Sequence, residues 1–333
     1  MVPDRVTIVI DKESNLTRDF IDVIEREFKE VSILHSDVQD VPKLVRGSDV
    51  VIAGPRLHIN RDLLSSAPTL KLIARTGVGL DNVDLKAATE LGIAVTNVGD
   101  VTAESVAEHT IALIFSLAKN IPLGDAAVRR GDWGIRKRIS EENIELNGKT
   151  LGVIGLGRIG SRVAIKAKCI GMRVVYYDVE RKRDLEESHG FTFMPLEEVL
   201  SSADVISIHL PLTERTKLLI NKESLGLVKP SAMIINQSRG EIVDDKALYE
   251  SLSSGRLRGY ATDVYSKEPP PTDLPLFGLT NVVCTPHVGA STRDAKIRTS
   301  VQVAKNVVSF FRGDVPPNII NPEVLSKKRS PFR

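Results

Sequence analysis

Three polar residues lie a few positions beyond apolar runs: Arg239 in Asn236-Gln237-Ser238-Arg239-Gly240, Glu268 in Lys267-Glu268-Pro269, and His287 in Thr285-Pro286-His287-Val288-Gly289. An arginine binds a carboxylate and polarises a carbonyl; a histidine titrates near neutral pH; a carboxylate beside it keeps it protonated. Hydride transfer to a 2-keto acid needs this set: a cation for the substrate, an acid for the carbonyl oxygen and an anion that keeps the acid charged. Taken alone, Arg239 is a solvated cation and Glu268 a loop charge. His287, one of six histidines, is alone a surface or structural residue. What they mean depends on whether the fold brings them together.

A second pattern concerns phosphate. Gly155-Leu156-Gly157-Arg158-Ile159-Gly160 follows the apolar run Leu151-Gly152-Val153-Ile154 and precedes a helical pattern from Ser161 to Ile170. Glycine spacing of this kind is weak evidence in isolation. Between a strand and a helix it has a physical role at each position: Gly155 for the tight turn, Gly157 for close approach of a pyrophosphate, Gly160 for close helix packing. The helix N-terminus then faces the phosphates. The next strand ends in Asp178, 18 residues after Gly160, where a carboxylate holds the adenosine ribose through its 2′-hydroxyl and repels a 2′-phosphate. NAD is therefore expected over NADP, although Arg181, Lys182 and Arg183 follow closely and could serve a phosphate.

The elements that must position these residues read as two α/β units. Short β-rich runs occur at Val6 to Ile10, Val31 to His35, Asp49 to Ala53, Lys71 to Arg75 and Ile93 to Thr96, alternating with helical patterns, which implies a parallel sheet. A helix is expected from Ala103 to Lys119, capped by Thr102. A second series follows: Thr150 to Ile154, Arg173 to Asp178, Val205 to Leu210, Ala232 to Asn236, Gly259 to Val264 and Val282 to Thr285. These predict a doubly wound domain of six strands, with Arg239, Glu268 and His287 beyond the carboxyl ends of its last three, where such sheets bind ligands. A helix from Thr292 to Phe311, ended by Pro316-Pro317, is expected to return to the first domain. The expected division is 1–100 plus 293–333 for one domain and 101–292 for the other.

Composition narrows the partners. With 333 residues the chain is long enough for about two domains. Its 45 Lys and Arg against 43 Asp and Glu leave a net charge of +2, which gives no electrostatic case for nucleic acid or a membrane surface. The two cysteines, Cys169 and Cys284, form neither a disulfide framework nor a metal-ligand spacing and read as buried thiols. No metal site is expected. The apolar run near the N-terminus is too short for a signal peptide or a membrane span, so a cytoplasmic protein acting on small molecules is expected.

At this point the chain resembles the D-isomer-specific 2-hydroxyacid dehydrogenases over nearly its whole length. The similarity is carried by Ala74-Arg75-Thr76-Gly77-Val78-Gly79-Leu80-Asp81-Asn82-Val83-Asp84, by Glu145 to Gly152 running into the Gly155 turn, and by the Arg239-Gly240, Lys267-Glu268-Pro269 and Pro286-His287 segments in family order. The resemblance implies a flavodoxin-like substrate domain and a Rossmann NAD domain, both doubly wound parallel sheets, with a cleft between them that closes on substrate. It implies that Arg239 binds substrate, that His287 is the general acid/base and that Glu268 sets its protonation. It places Asp263 on the nicotinamide carboxamide and Arg158 and Ile159 on the phosphates. Val78, Leu210, Gln237, Ser238, Gly289 and Ala290 match cofactor-lining positions, as do Arg239 and His287 themselves. Backbone amides around Gly77, Val78 and Gly79 would receive the substrate carboxylate, and Arg75 would sit with them. A homodimer is also implied, with the Ala103 to Lys119 helix and the Trp133 region as interface candidates.

Within the family the chain looks most like the D-3-phosphoglycerate dehydrogenases, with Arg56, Arg75, Arg136, Lys137 and Arg138 available for a phosphate, the last three from a neighbouring subunit. Two departures from the family pattern are Asn97-Val98-Gly99-Asp100, which lacks the usual proline, and Gln237, which replaces a smaller residue. The chain stops without the C-terminal regulatory domain of long phosphoglycerate dehydrogenases, so serine feedback through one is not expected. Glyoxylate or hydroxypyruvate reductase is the alternative enzyme, and the family's NAD-sensing corepressors supply an alternative of another class: a binding module without turnover.

Overall fold

In the computed structural model, residues 5–326 are described. Unit 1 comprises Met1–Thr102 and Ser291–Arg333, and unit 2 comprises Ala103–Ala290.

In unit 1, strands β1 (Arg5–Asp11), β2 (Glu30–Ser36), β3 (Val50–Ala53), β4 (Leu72–Arg75) and β5 (Ala94–Thr96) form a parallel sheet ordered β2-β1-β3-β4-β5. This is the flavodoxin-like order. Residues of β3 and β4 are buried on both faces, which is why Val50-Val51-Ile52-Ala53 and Leu72-Ile73-Ala74 read as unbroken apolar runs. The period of two divides β1 between the layers. Val6, Ile8 and Ile10 pack on Phe20 and Ile24 of the helix Arg18–Glu27 and on Val303, Val307 and Phe311 of the helix Arg293–Arg312, whereas Val9 packs on Leu63, Leu64 and Ala87. The returning helix starts at Thr292, whose hydroxyl accepts from the Ala295 amide, and stops at Gly313 in the left-handed region.

In unit 2 the parallel strands are β6 (Thr150–Ile154), β7 (Arg173–Tyr177), β8 (Thr192–Phe193), β9 (Val205–Ile208), β10 (Met233–Asn236), β11 (Gly259–Thr262) and β12 (Val282–Cys284). Their order, β12-β11-β10-β9-β6-β7-β8, is the Rossmann order with one strand added at the β12 edge, and it reverses direction between β6 and β9. Neighbouring residues alternate between the layers. Met233 and Ile235 face the helices Ala103–Ala118 and Arg158–Cys169 through Leu113, Leu117, Val163 and Ala167; Ile234 faces Val199, Leu200, Leu248 and Leu252.

Two expectations are corrected. The sheet has seven strands rather than six: Thr192–Phe193 pairs with Val175 and Tyr176, too short to leave an alternating pattern. Both cysteines are exposed rather than buried. Cys169 is the last residue of its helix, and Cys284 ends the edge strand β12, which has a neighbour on one side alone. Among the described residues no single helix is long and apolar enough to cross a membrane; Ala103–Ala118 with Ile121–Arg129 passes that test only as a pair bent by 64°.

Candidate active site

The glycine turn leaves β6 at the point where the sheet order reverses. Gly155 has φ 94°, a left-handed conformation that disfavours any side chain, and a Cβ there would lie 2.5 Å from the His209 carbonyl oxygen at the end of β9. Its amide donates to the Tyr177 carbonyl at 2.8 Å. Gly157 is the N-cap of the helix Arg158–Cys169 and offers no side-chain cap to the first amides, those of Arg158 and Ile159 among them, and nothing lies within 4 Å of where its Cβ would be. Gly160 rests on the Gly155 carbonyl. Asp178, just past β7, accepts from the Leu156 amide at 2.7 Å and the Glu180 amide at 3.3 Å, which fixes its carboxylate beside the turn.

The chain beyond β10 is held by its own polar atoms. Asn236, fully buried, accepts from the Ser238 amide at 3.0 Å and donates to the Arg239 carbonyl at 2.9 Å, while the Ser238 hydroxyl donates to the Ile208 carbonyl at 2.8 Å. Arg239 donates to the Ser238 carbonyl at 2.7 Å. Only a glycine lets this loop approach the next one, because a Cβ on Gly240 would overlap the Tyr265 and Ser266 backbone. Beyond β11, Glu268 accepts from the Tyr265 amide at 3.1 Å and lies 2.6 Å from His287 Nδ1. The fold therefore joins residues 19 positions apart into an ion pair.

That pair is half exposed, with 46% of the His287 side chain and 37% of Glu268 accessible. The hydrogen bond to Glu268 raises the His287 pKa above its ordinary value against the opposing effect of burial, and the charges of Glu268 and Asp263 add to the rise. For Glu268, burial acts upward but is outweighed by the His287 bond and charge, the Tyr265 amide and Arg239, so its carboxyl sits below the usual range. Arg239 is close enough to act electrostatically on both. With Nδ1 engaged, Nε2 is the nitrogen left for a reacting oxygen.

His287 is in the left-handed region at φ 54°, a conformation that must be held by its surroundings. Asp263, 2% exposed, holds it: its carboxylate accepts from the Val288 amide at 2.9 Å, the Gly289 amide at 2.7 Å and the Thr285 hydroxyl at 2.6 Å. The Thr285 proton is committed to Asp263, so His109 Nε2, 3.0 Å from the same hydroxyl, is the donor of that bond. Tyr265 donates to the Thr285 carbonyl at 2.9 Å. Sequence reading missed His109, Thr285 and Tyr265; their partners are distant in sequence and no local pattern announces them. Buried Gln237 reaches the same place, since its Oε1 lies 2.7 Å from where a Gly289 Cβ would be, and its Nε2 has no hydrogen-bond partner. His209 is half-buried with its Nδ1 shielded from solvent; Nε2 is paired with the Ser207 hydroxyl at 2.8 Å, Nδ1 has no partner, and desolvation pushes its pKa down to about 3. Leu210 and Ala290 flank these residues half-buried.

In unit 1, Arg75 is 5% exposed and donates to the carbonyls of Ala53 (2.8 Å), Gly54 and Gly79 (3.3 Å), closing the turn that carries Gly77, Val78 and Gly79. Val78 is 42% exposed, and Asn97 donates to its carbonyl at 3.0 Å.

A dinucleotide fits the unit 2 residues: an open glycine turn, an uncapped helix N-terminus, a fixed carboxylate past β7 and two buried polar nitrogens without protein partners. Residues 111–289 match the family described as D-isomer specific 2-hydroxyacid dehydrogenase, NAD binding domain. The D-3-phosphoglycerate dehydrogenase of Methanocaldococcus jannaschii is 42% identical over 292 residues, 87% of this chain and 55% of that protein, so the chain spans about half of that relative's length. The glyoxylate reductase of Aeropyrum pernix is 43% identical over 280 residues, 83% of each chain. Among solved structures, the D-lactate dehydrogenase of Aquifex aeolicus complexed with NAD and lactic acid matches with a TM-score of 0.83 and 32% identity over 95% of this chain and 99% of that one. The chain thus belongs to the D-isomer-specific 2-hydroxyacid dehydrogenases, NAD-dependent oxidoreductases that act on CH–OH groups.

Proposed function

We propose that the chain interconverts a D-2-hydroxy acid and its 2-keto acid, with Arg239, Glu268 and His287 in the roles their chemistry suggests. The observation that supports this most is the His287–Glu268 pair at 2.6 Å beside Arg239, past the ends of β10, β11 and β12. Bound NAD supplies the hydride acceptor, and its reduced form the donor. Arg239 binds the substrate carboxylate. In oxidation, neutral His287 takes the hydroxyl proton at Nε2 and Glu268 stabilises the imidazolium that results; in reduction the imidazolium returns that proton to the carbonyl oxygen. Asp263 holds the turn that presents His287 and so orients the proton transfer. The carboxamide role implied for Asp263 would be taken up by its carboxylate alongside these bonds, with Gln237 Nε2 as a further polar contact for cofactor.

The substrate proposed is D-3-phosphoglycerate, which would place the reaction in serine biosynthesis in the cytoplasm. The similarity to the M. jannaschii protein and the exposed Arg136 and Lys137 of the helix Ile135–Glu142 support it. A second reading, glyoxylate or hydroxypyruvate reduction, is favoured by a specific observation: Arg75 spends its donors on carbonyls and Arg56 is paired with Glu13 at 3.0 Å, so neither is an idle phosphate cation. A homodimer is proposed with Trp133, 71% exposed, in its interface. Comparing kcat/KM for 3-phosphohydroxypyruvate, hydroxypyruvate, glyoxylate and pyruvate separates the substrates; NADH binding without turnover of any of them would leave the corepressor-like reading.

A further inference from the structure

Three cations, Arg181, Lys182 and Arg183, follow Asp178, and two of them, Arg181 and Lys182, are engaged by carboxylates of their own segment. Arg181 is gripped by Glu186 in a two-pronged ion pair, with Nε at 2.8 Å from Oε1 and 3.1 Å from Oε2, and Nη2 at 2.7 Å from Oε2. This is the fork-to-fork geometry that a phosphate would otherwise receive. The grip is itself braced. Tyr176, wholly buried on β7 two residues before Asp178, donates its hydroxyl to Glu186 Oε1 at 2.7 Å and accepts the Lys182 amide at 2.8 Å. Only 14% of the Glu186 side chain is exposed, and the Arg181 guanidinium also covers the Phe193 ring at 5.7 Å. Lys182 pairs with Glu180. The Arg181 bond, followed by the Tyr176 bond, pulls the Glu186 pKa down to about 2, and burial with the Glu186 contact lifts Tyr176 to about 12, so the clamp keeps its charges throughout the neutral range.

We propose that Glu186, braced by Tyr176, is a cofactor-specificity residue: by sequestering Arg181 it denies NADP the cation its 2′-phosphate requires, and so adds to the repulsion from Asp178. The inference rests on Asp178 standing at the adenosine ribose. It takes the fork-shaped cation nearest the carboxylate, Arg181, out of a sequence feature that favours NADP.

The test is titration calorimetry of NAD⁺ and NADP⁺ with the wild-type chain, Glu186→Ala, Asp178→Gly and the double variant, each also carrying Arg181→Ala. Release of Arg181 should tighten NADP⁺ on the order of tenfold, about 1.4 kcal/mol, in Glu186→Ala relative to wild type and again in the double variant relative to Asp178→Gly. NAD⁺ should move by less than about twofold, and Arg181→Ala should erase the gain. No NADP⁺ gain from Glu186→Ala, while Asp178→Gly alone improves it, would overturn the clamp and leave the ribose assignment standing. Tighter NADP⁺ than NAD⁺ in the wild type would overturn both. An equal gain for the two cofactors would overturn the clamp as general loosening of the loop. If Glu186→Ala fails to fold, Glu186→Gln, which keeps the volume but not the charge, and Tyr176→Phe, which removes only the brace, carry the same expectation at smaller amplitude.

Discussion

Replacing Glu268 by glutamine removes a charge while keeping the shape of the side chain. The carboxylate now serves two donors on separate oxygens, the Tyr265 amide on Oε1 at 3.1 Å and His287 Nδ1 on Oε2 at 2.6 Å; an amide keeps an acceptor oxygen at only one of those two places and puts an NH2 group at the other. Two unit charges about 4 Å apart interact by roughly 4 kcal/mol at an effective dielectric near 20 and by about 1 kcal/mol in water. Because the two side chains are 46% and 37% exposed, the aqueous end of that range applies, and about 1 to 1.5 kcal/mol is the reasonable loss. That is about one pH unit. The sign follows from the state used in each direction. Reduction needs the imidazolium, so its rate holds at low pH and falls as pH rises through the raised pKa of His287; oxidation needs the neutral ring and rises there. In Glu268→Gln both limbs should move about one unit toward lower pH, read as kcat/KM against pH for 2-keto acid reduction and for 2-hydroxy acid oxidation. Limbs that stay in place, or move upward, would refute the argument that Glu268 sets the protonation of His287.

Other consequences concern the supports of the site. Asp263→Asn leaves one oxygen for three donors around the His287 turn; hydrogen bonds to a charged group contribute about 1.5–3 kcal/mol, so kcat should fall by roughly 10- to 100-fold, and an unchanged kcat would remove Asp263 from that role. Gly155→Ala combines a disfavoured φ with a Cβ 2.5 Å from the His209 oxygen, and a loss of roughly 1–3 kcal/mol in unfolding free energy by urea titration is expected, together with weaker NAD binding. Arg75→Lys cannot bridge the Ala53 and Gly79 carbonyls as a fork does; KM should rise alike for phosphorylated and unphosphorylated keto acids if Arg75 shapes the turn, whereas a rise for 3-phosphohydroxypyruvate alone would assign it to the phosphate. Ile234→Ala empties a fully buried position between β10 and the helix layer, and a cost of about 2–5 kcal/mol is expected from chemical denaturation.

Much of this architecture is legible in the sequence because parallel strands buried on both faces are apolar without interruption: Val50 to Ala53, Val205 to Ile208 and Met233 to Ile235 announce themselves. The glycine turn is legible because each glycine answers a local demand. Arg239, Glu268 and His287 are visible as polar residues at the ends of apolar runs, and strand ends converge in a doubly wound sheet. What escapes is whatever depends on contact between distant segments. His109 meets Thr285 across 176 residues and is, in its own helix, one polar position among several. Thr192–Phe193 is too brief to show a period. The burial of Arg75 against three carbonyls cannot be read from a loop-like Arg-Thr-Gly. Arg181 looks like a free cation until Glu186 and Tyr176 are seen to hold it.

The central claim is that His287 moves the proton that accompanies hydride transfer. It is tested most directly by following NADH absorbance with the best 2-keto acid of the panel, comparing the wild-type chain with His287→Ala, and measuring NADH affinity of both. The account predicts a fall in kcat on the order of 10²- to 10⁴-fold with NADH still bound. Near-normal turnover in His287→Ala would contradict it.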